Sequence, residues 1–217
     1  MRRRSRQYNA IMRIVLPLAL LTLSAGLCMA QSGFQPLFNE RNLDQFIVDT
    51  PGLWSVEKGV LVGRSPALKY NDFLRTRKNY RNFILKAKFR MTDATGNANS
   101  GIQFRSKPMP DSHEVIGYQA DLGQKYWGCL YDESRRKKVL ACPAPEALAK
   151  LDKAGWNEYT VTARGNHIVL ELNGVKTVDY TEADAGIEQG GFLAFQLHSG
   201  PAFQMEFREI RIQVLPD

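Results

Sequence analysis

Between Gly117 and Arg135 the chain reads GYQADLGQKYWGCLYDESR. Gln119 and Asp121 alternate there with Tyr118, Ala120 and Leu122. A strand over this run sets the polar pair on one face and the apolar residues on the other. Gly123 breaks the pattern, and the aromatic pair Tyr126 and Trp127 follows. A second alternating run then carries Trp127, Cys129, Tyr131 and Glu133 at one parity. Carboxylates, an amide and flat aromatic faces therefore converge in a short stretch. That mixture suits a neutral polar ligand such as a sugar, which offers hydroxyls to bond and a C–H face to stack upon.

Two further strands follow the same plan. Ile102 and Phe104 alternate with Gln103 and Arg105, and Leu193, Phe195 and Leu197 alternate with Ala194, Gln196 and His198. Asn99 adds an amide at the end of the small-residue loop before the first of these. If the three strands lie in one sheet, parity places Arg105, Asp121 and His198 around one pocket, with Gln103, Gln119, Tyr131 and Gln196 about them. A solvated outer face satisfies the same alternation. Such faces are usually built from Lys, Glu, Thr and Ser, however, rather than from Gln paired with Arg, Asp or His.

The positioning elements begin after a leader. Arg2, Arg3, Arg4 and Arg6 precede an apolar run from Ile14 to Leu23, and Cys28-Met29-Ala30 supplies small residues before a cleavage point. This is the pattern of a secretory signal peptide over 1–30, shorter in its apolar run than a membrane span. It implies a protein exported to the periplasm or beyond, with no stable membrane anchor once the leader is removed. The whole chain has 29 basic and 22 acidic residues, a net +7. The leader holds five Arg and no acid, so the remainder carries 24 against 22, a net +2. Its basic character is then too slight to imply a nucleic-acid partner.

Residues 31–217 are expected to form a single domain. Cys129 and Cys142 are the two cysteines outside the leader. WGCLYDE and KKVLAC read as two strands turning at Ser134 to Arg136, which brings both cysteines to one level of a hairpin. An exported protein with an even pair in this placement is expected to form the Cys129–Cys142 bridge.

About a dozen short strands are separated by turn signals, among them Lys58-Gly59, Arg164-Gly165-Asn166 and Asn173-Gly174. Phe83, Leu85, Ala87 and Phe89 alternate with Ile84, Lys86, Lys88 and Arg90, and Phe203, Met205 and Phe207 point inward before a register change at Arg208. Pro145 to Leu151 is the one helical segment. The pattern is an all-β, two-sheet jelly-roll sandwich with one short helix. No phosphate-cradling glycine loop, Cys/His metal spacing or Gly-x-Ser-x-Gly elbow is present in the sequence.

Taken in order, several pieces resemble the 3-keto-disaccharide hydrolase family, whose fold is a concanavalin-like sandwich. They are Leu37-Phe38-Asn39 with Leu43 and Phe46, Trp54-Ser55-Val56-Glu57 with Gly59-Val60-Leu61, and Asn99-Ser100-Gly101-Ile102 with Phe104-Arg105. Gly117 to Asp121, Gly155-Trp156-Asn157, Leu172-Asn173-Gly174 and Phe207 to Arg211 continue the series. Many relatives carry Glu at the position of Gln119, while Asp121 keeps a carboxylate on that strand. The resemblance implies an exported enzyme that cleaves sugars oxidised at C3. A C3 ketone acidifies the C2 hydrogen, so one base can start an elimination that expels the C1 substituent. Asp121 or His198 could be that base. Arg105 or a bound divalent cation could stabilise the enolate, Tyr131 could donate a proton, and Trp127 could stack on the sugar. Asn99, Gln103, Gln119, Glu133 and Gln196 complete the candidate binding set. A non-catalytic carbohydrate-binding sandwich would use the same groups without needing a base.

Overall fold

The structure is a computed structural model that describes residues 33–217. The leader expected over 1–30 lies outside the described residues. Turn chemistry and two-residue alternation divide the described chain into fifteen strands. They are β1 (Gln35–Pro36), β2 (Phe46–Ile47), β3 (Trp54–Glu57), β4 (Val60–Pro66), β5 (Asp72–Tyr80), β6 (Phe83–Thr92), β7 (Asn99–Pro108) and β8 (Val115–Gly123). Then follow β9 (Leu130–Glu133), β10 (Lys138–Ala141), β11 (Asn157–Arg164), β12 (His167–Leu172), β13 (Val175–Thr181), β14 (Gly191–Leu197) and β15 (Ala202–Val214). A single 3₁₀ turn, Pro145–Leu148, stands where a short helix was expected.

The strands form two antiparallel sheets. One has the order β13-β12-β11-β6-β15-β4-β3, with β1 also on β15; the other is β10-β9-β8-β7-β14-β5-β2. The jelly-roll core lies between them. From the first sheet come Phe83, Leu85, Ala87 and Phe89 of β6, Tyr159, Val161 and Ala163 of β11, and Phe203, Met205 and Phe207 of β15. From the second come Ile102 and Phe104 of β7, Tyr118, Ala120 and Leu122 of β8, and Leu193, Phe195 and Leu197 of β14. Each fully buried large apolar side chain contributes about 1.5–3 kcal/mol. Trp54 belongs to this core and donates its indole N–H to Asp72 (2.7 Å). Among the described residues no helix is long and apolar enough to cross a membrane.

Two one-residue bulges matter for what faces where. In β15 the pairing with β6 slips between Arg208 and Arg211, around Glu209 at φ 51°. The inward set therefore changes parity, from Phe203, Met205 and Phe207 to Ile210 and Ile212. In β7 the pairing with β8 slips between Phe104 and Lys107, so Gly117 faces both Arg105 and Ser106. Arg105 takes φ 49°, a left-handed conformation that non-glycine residues seldom adopt. Strand β7 continues through the bulge to Pro108.

Candidate functional site

Strands β7, β8 and β9 are consecutive neighbours, so residues close in sequence share the outer face of the second sheet. Gly101 lies opposite Asp121, Gln103 opposite Gln119, and Gln119 opposite Tyr131. Gly101 must lack a side chain, because a Cβ there would come within 2.6 Å of the Gln119 side chain. Gln119 lies across this gap and donates Nε2–H to Asp121 Oδ1 (2.9 Å). Gln103 Nε2 in turn donates to Gln119 Oε1 (2.6 Å), and the single Ser106 hydroxyl proton is shared between the Phe104 carbonyl (3.0 Å) and Gln103 Oε1 (3.2 Å). This file of three polar side chains fixes which end of the Gln119 amide meets the carboxylate. Asn99 Nδ2 adds a second donor to Asp121 Oδ1 (3.3 Å).

The face is not solvated. Gln103 and Gln196 are wholly buried, Gln119 is 2% exposed and Asp121 4%. What remains open is a cavity of about 180 Å³ lined by Asn99, Gln119, Asp121, Gln124, Tyr126, Tyr131, Glu133 and His198. Burial pushes the Asp121 carboxyl up from 3.8 to about 7, and the Gln119 and Asn99 donors offset only part of that. Glu133 is also raised to about 7, chiefly by burial and then by the negative charges of Glu114 and Asp121. Burial raises the Tyr131 phenol as well, with Glu133 and Asp121 adding to it. Near neutral pH the cavity thus holds two carboxyl groups, each able to give or take a proton.

His198 follows the last residue of β14 and reaches the same cavity. Its Nδ1 lies 2.6 Å from the Ser199 carbonyl oxygen. A carbonyl only accepts, so Nδ1 carries the hydrogen, which leaves Nε2 as the lone-pair nitrogen whenever the ring is neutral. The Ser199 backbone N–H donates to Asn71 Oδ1 (2.8 Å) and fixes this segment.

The expected grouping of Arg105 with Asp121 and His198 does not form. The β7 bulge gives the position over Gly117 to Ser106 and turns Arg105 off the Gln103 face. Arg105 instead donates Nε–H and Nη2–H to the Arg81 carbonyl (2.9 and 2.8 Å), and Nη1–H to Gln189. Trp127 is also outside the cavity. The turn after Gly123 sends it inward, 7% exposed, to stack on Phe89. Gln103 supports the site from beneath without lining it. Gln196 is sealed in, with neither amide atom hydrogen-bonded among the described residues. Asn99, Gln119, Tyr131 and Glu133 do line the cavity.

Gln124 and Tyr126 are cavity residues that strand parity did not place, and Glu114 is a charge acting on the cavity that it did not place either. The first two sit in the β8–β9 turn, where Tyr126 N–H bonds the Gly123 carbonyl and Cys129 N–H bonds the Tyr126 carbonyl. The signal available for them was the adjacency of Tyr126 to Trp127. The same turn ties back to the strand, since Asp121 N–H donates to the Cys129 carbonyl (2.9 Å). A disulfide joins Cys129 to Cys142 just beyond β10. Among the described residues no group of three or more His, Cys, Asp or Glu side chains is arranged to hold a metal ion.

Solved structures share this architecture at low identity. One is a provisionally assigned glycosyl hydrolase of Parabacteroides distasonis ATCC 8503, at TM-score 0.64 and 22% identity, covering 85% of this chain and 94% of that one. A second is the carbohydrate-binding module CBM66 of Bacillus subtilis, at TM-score 0.61 and 15% identity, covering 78% and 95%. A third is the β-glucanase of Bacillus licheniformis, at TM-score 0.58 and 14% identity, covering 85% and 98%. At such identities the likeness establishes the fold. No curated protein matches the chain. The model of the 3-keto-alpha-glucoside-1,2-lyase-like domain matches residues 33–213, essentially the whole described sandwich, and the chain belongs to that family.

Proposed function

We propose that this chain cleaves a 3-keto-glycoside by base-assisted elimination across C1 and C2. The observation that carries the reading is the pair of carboxyl groups, Asp121 and Glu133, both raised to about 7 and both opening on one small cavity. In the forward step the Asp121 carboxylate takes the proton from C2. The C–H electron pair forms the C1=C2 bond, and the C1–O bond breaks toward the leaving oxygen. Glu133 in its protonated form, or the Tyr131 phenol, gives that oxygen its proton. Water added later across the double bond would complete a net hydrolysis. The amides of Asn99 and Gln119 line the cavity beside the base and can orient sugar hydroxyls as well as the carboxylate. His198 Nε2 is the second group in the cavity with a lone pair for the same proton.

The family supports the substrate class, and the leader expected over 1–30 supports a site of action outside the cytoplasm. The test is incubation with 3-keto and unoxidised disaccharides, following release of free sugar. Release from the keto form alone, abolished in Asp121→Asn, is the expected result. Binding of both sugars with no release would make the chain a carbohydrate-binding sandwich instead. Full activity in Asp121→Asn with loss in His198→Ala would move the base to His198.

A further inference from the structure

Arg105 remains unexplained by the chemistry above. Its side chain is 2% exposed, yet no carboxylate among the described residues lies within ion-pair distance. Its four hydrogen bonds go to neutral acceptors: the Arg81 carbonyl twice, Asn82 Oδ1 and Gln189 Oε1. A guanidinium has five N–H groups, so one on Nη1 is left over. Burial lowers the group to about 10, the Tyr118 phenol offsetting part of that and the Arg81 charge adding to it. A buried charge without a counter-charge is costly, and a left-handed residue in a bulge adds strain at the same position.

Arg105 is one of the residues lining a recess of about 250 Å³, separate from the Asp121 cavity, between the end of the β7–β8 ladder and the β13–β14 connection. Lys107, Ile116, Arg135 and Glu188 are among its walls. The neighbouring acids are already engaged. Asp132 is ion-paired with Arg135 (2.8 Å) and Arg136, and Glu182 with Arg136 (2.6 Å). Glu182 also accepts from the Tyr118 hydroxyl (2.8 Å). Once those pairs are set aside, Arg105 and Lys107 face the recess against Glu188 alone, an excess of one positive charge.

We propose that this recess binds an oxyanion, in particular the carboxylate of an acidic monosaccharide, with Arg105 and Lys107 as its counter-charges. An anion here would complete the Arg105 donor set and supply the missing charge. The recess is below the usual size of a drug-like pocket, which fits one charged group on a single sugar rather than an extended chain. The proposal is independent of Asp121, and its outcome leaves the elimination chemistry untouched.

The experiment is a titration of the protein at constant ionic strength with sulfate, phosphate, glucuronate and glucose. It is followed through the Arg105 Nε–H resonance and the backbone amides of 186–190. The three anions should shift these signals saturably and glucose should not. Glucuronate binding more tightly than sulfate would identify an acidic sugar as the ligand. The reverse order would keep the oxyanion site and assign it to a free inorganic anion. Lys107→Gln removes one charge while leaving the Arg105 hydrogen bonds in place. It should weaken anion binding about fivefold, the effect of one partly screened charge. Lys69→Gln, on the β4–β5 connection, should not. Arg105→Lys tests the fork geometry if Arg105→Gln fails to fold. Glucose binding as well as glucuronate, no anion response at all, or an affinity indifferent to Lys107→Gln would each overturn the proposal.

Discussion

Asp121→Asn should make the protein more stable at alkaline pH while it removes turnover. The replacement is nearly isosteric, and its Oδ1 can still accept from Gln119 and Asn99. What disappears is a carboxylate held where burial moves its pKa from 3.8 to about 7. Holding that charge in the folded state costs about 4 kcal/mol once the pH is well above 7. The folded state then binds more protons than the unfolded chain between those two values. Stability therefore falls as pH rises through that window and is flat on either side. Within it the wild-type slope from this group is about 1.4 kcal/mol per pH unit, or roughly 2–3 kcal/mol lost between pH 5 and 7. In Asp121→Asn that contribution vanishes. A shallower fall remains from Glu133, which is raised in the same direction and loses part of its shift when the Asp121 charge goes. Urea unfolding of both proteins at pH 5, 6, 7 and 8 gives the two curves directly. Curves that stay parallel across this range would refute the burial argument and, with it, the assignment of Asp121 as a base poised near neutrality.

Other expectations follow from the same geometry. If the cavity needs Asp121 ionised and Glu133 protonated, the rate–pH profile should be a narrow bell centred near 7, and Glu133→Gln should change its shape while lowering the maximum by about 10²–10⁴-fold; an unchanged profile would remove Glu133 as acid. Gln103→Met leaves the cavity wall intact but frees the Gln119 amide to turn over, so kcat should fall about tenfold with KM little changed, and an unaltered kcat would deny the positioning role. Gly117→Ala places a Cβ within 2.1 Å of the Ser106 hydroxyl and should destabilise the fold by about 1–3 kcal/mol, read as a lowered urea midpoint. Reduction of Cys129–Cys142, or its replacement by a serine pair, should cost about 3 kcal/mol, and thiol titration of the unfolded, unreduced protein should find no free sulfhydryl from this pair.

The contrast between the two bulges explains how far the sequence could be followed. In β15 the apolar residues announce the slip, because Phe203, Met205 and Phe207 give way to Ile210 and Ile212 at the opposite parity. In β7 the residues after Phe104 are Arg105, Ser106 and Lys107, all polar, so an extra residue leaves no trace in the alternation. That silence is why parity placed Arg105 beside Asp121, whereas Gln119, Asp121, Tyr131 and Glu133, on regular ladder positions, were legible. Trp127 failed for a related reason: Gly123 and Gln124, both at positive φ, begin a turn in which strand parity has no meaning. The sandwich itself was readable because nearly every core strand repeats an apolar residue at every second position. The raised carboxyls were not readable, since no pattern in one strand reveals how deeply the assembled cavity buries Asp121.

Of the eight residues around the cavity, His198 alone comes from outside the span from Asn99 to Glu133. Chain closure within such a span is inexpensive, because loop entropy grows only slowly with length. The β7–β8–β9 meander can therefore bring the donors and both carboxyl groups together before β14 arrives with the histidine. It also makes the chemistry portable. Exchanging this one contiguous segment between sandwiches would transplant most of the cavity lining in a single event, and leave the recipient to supply only an imidazole at the end of a neighbouring strand.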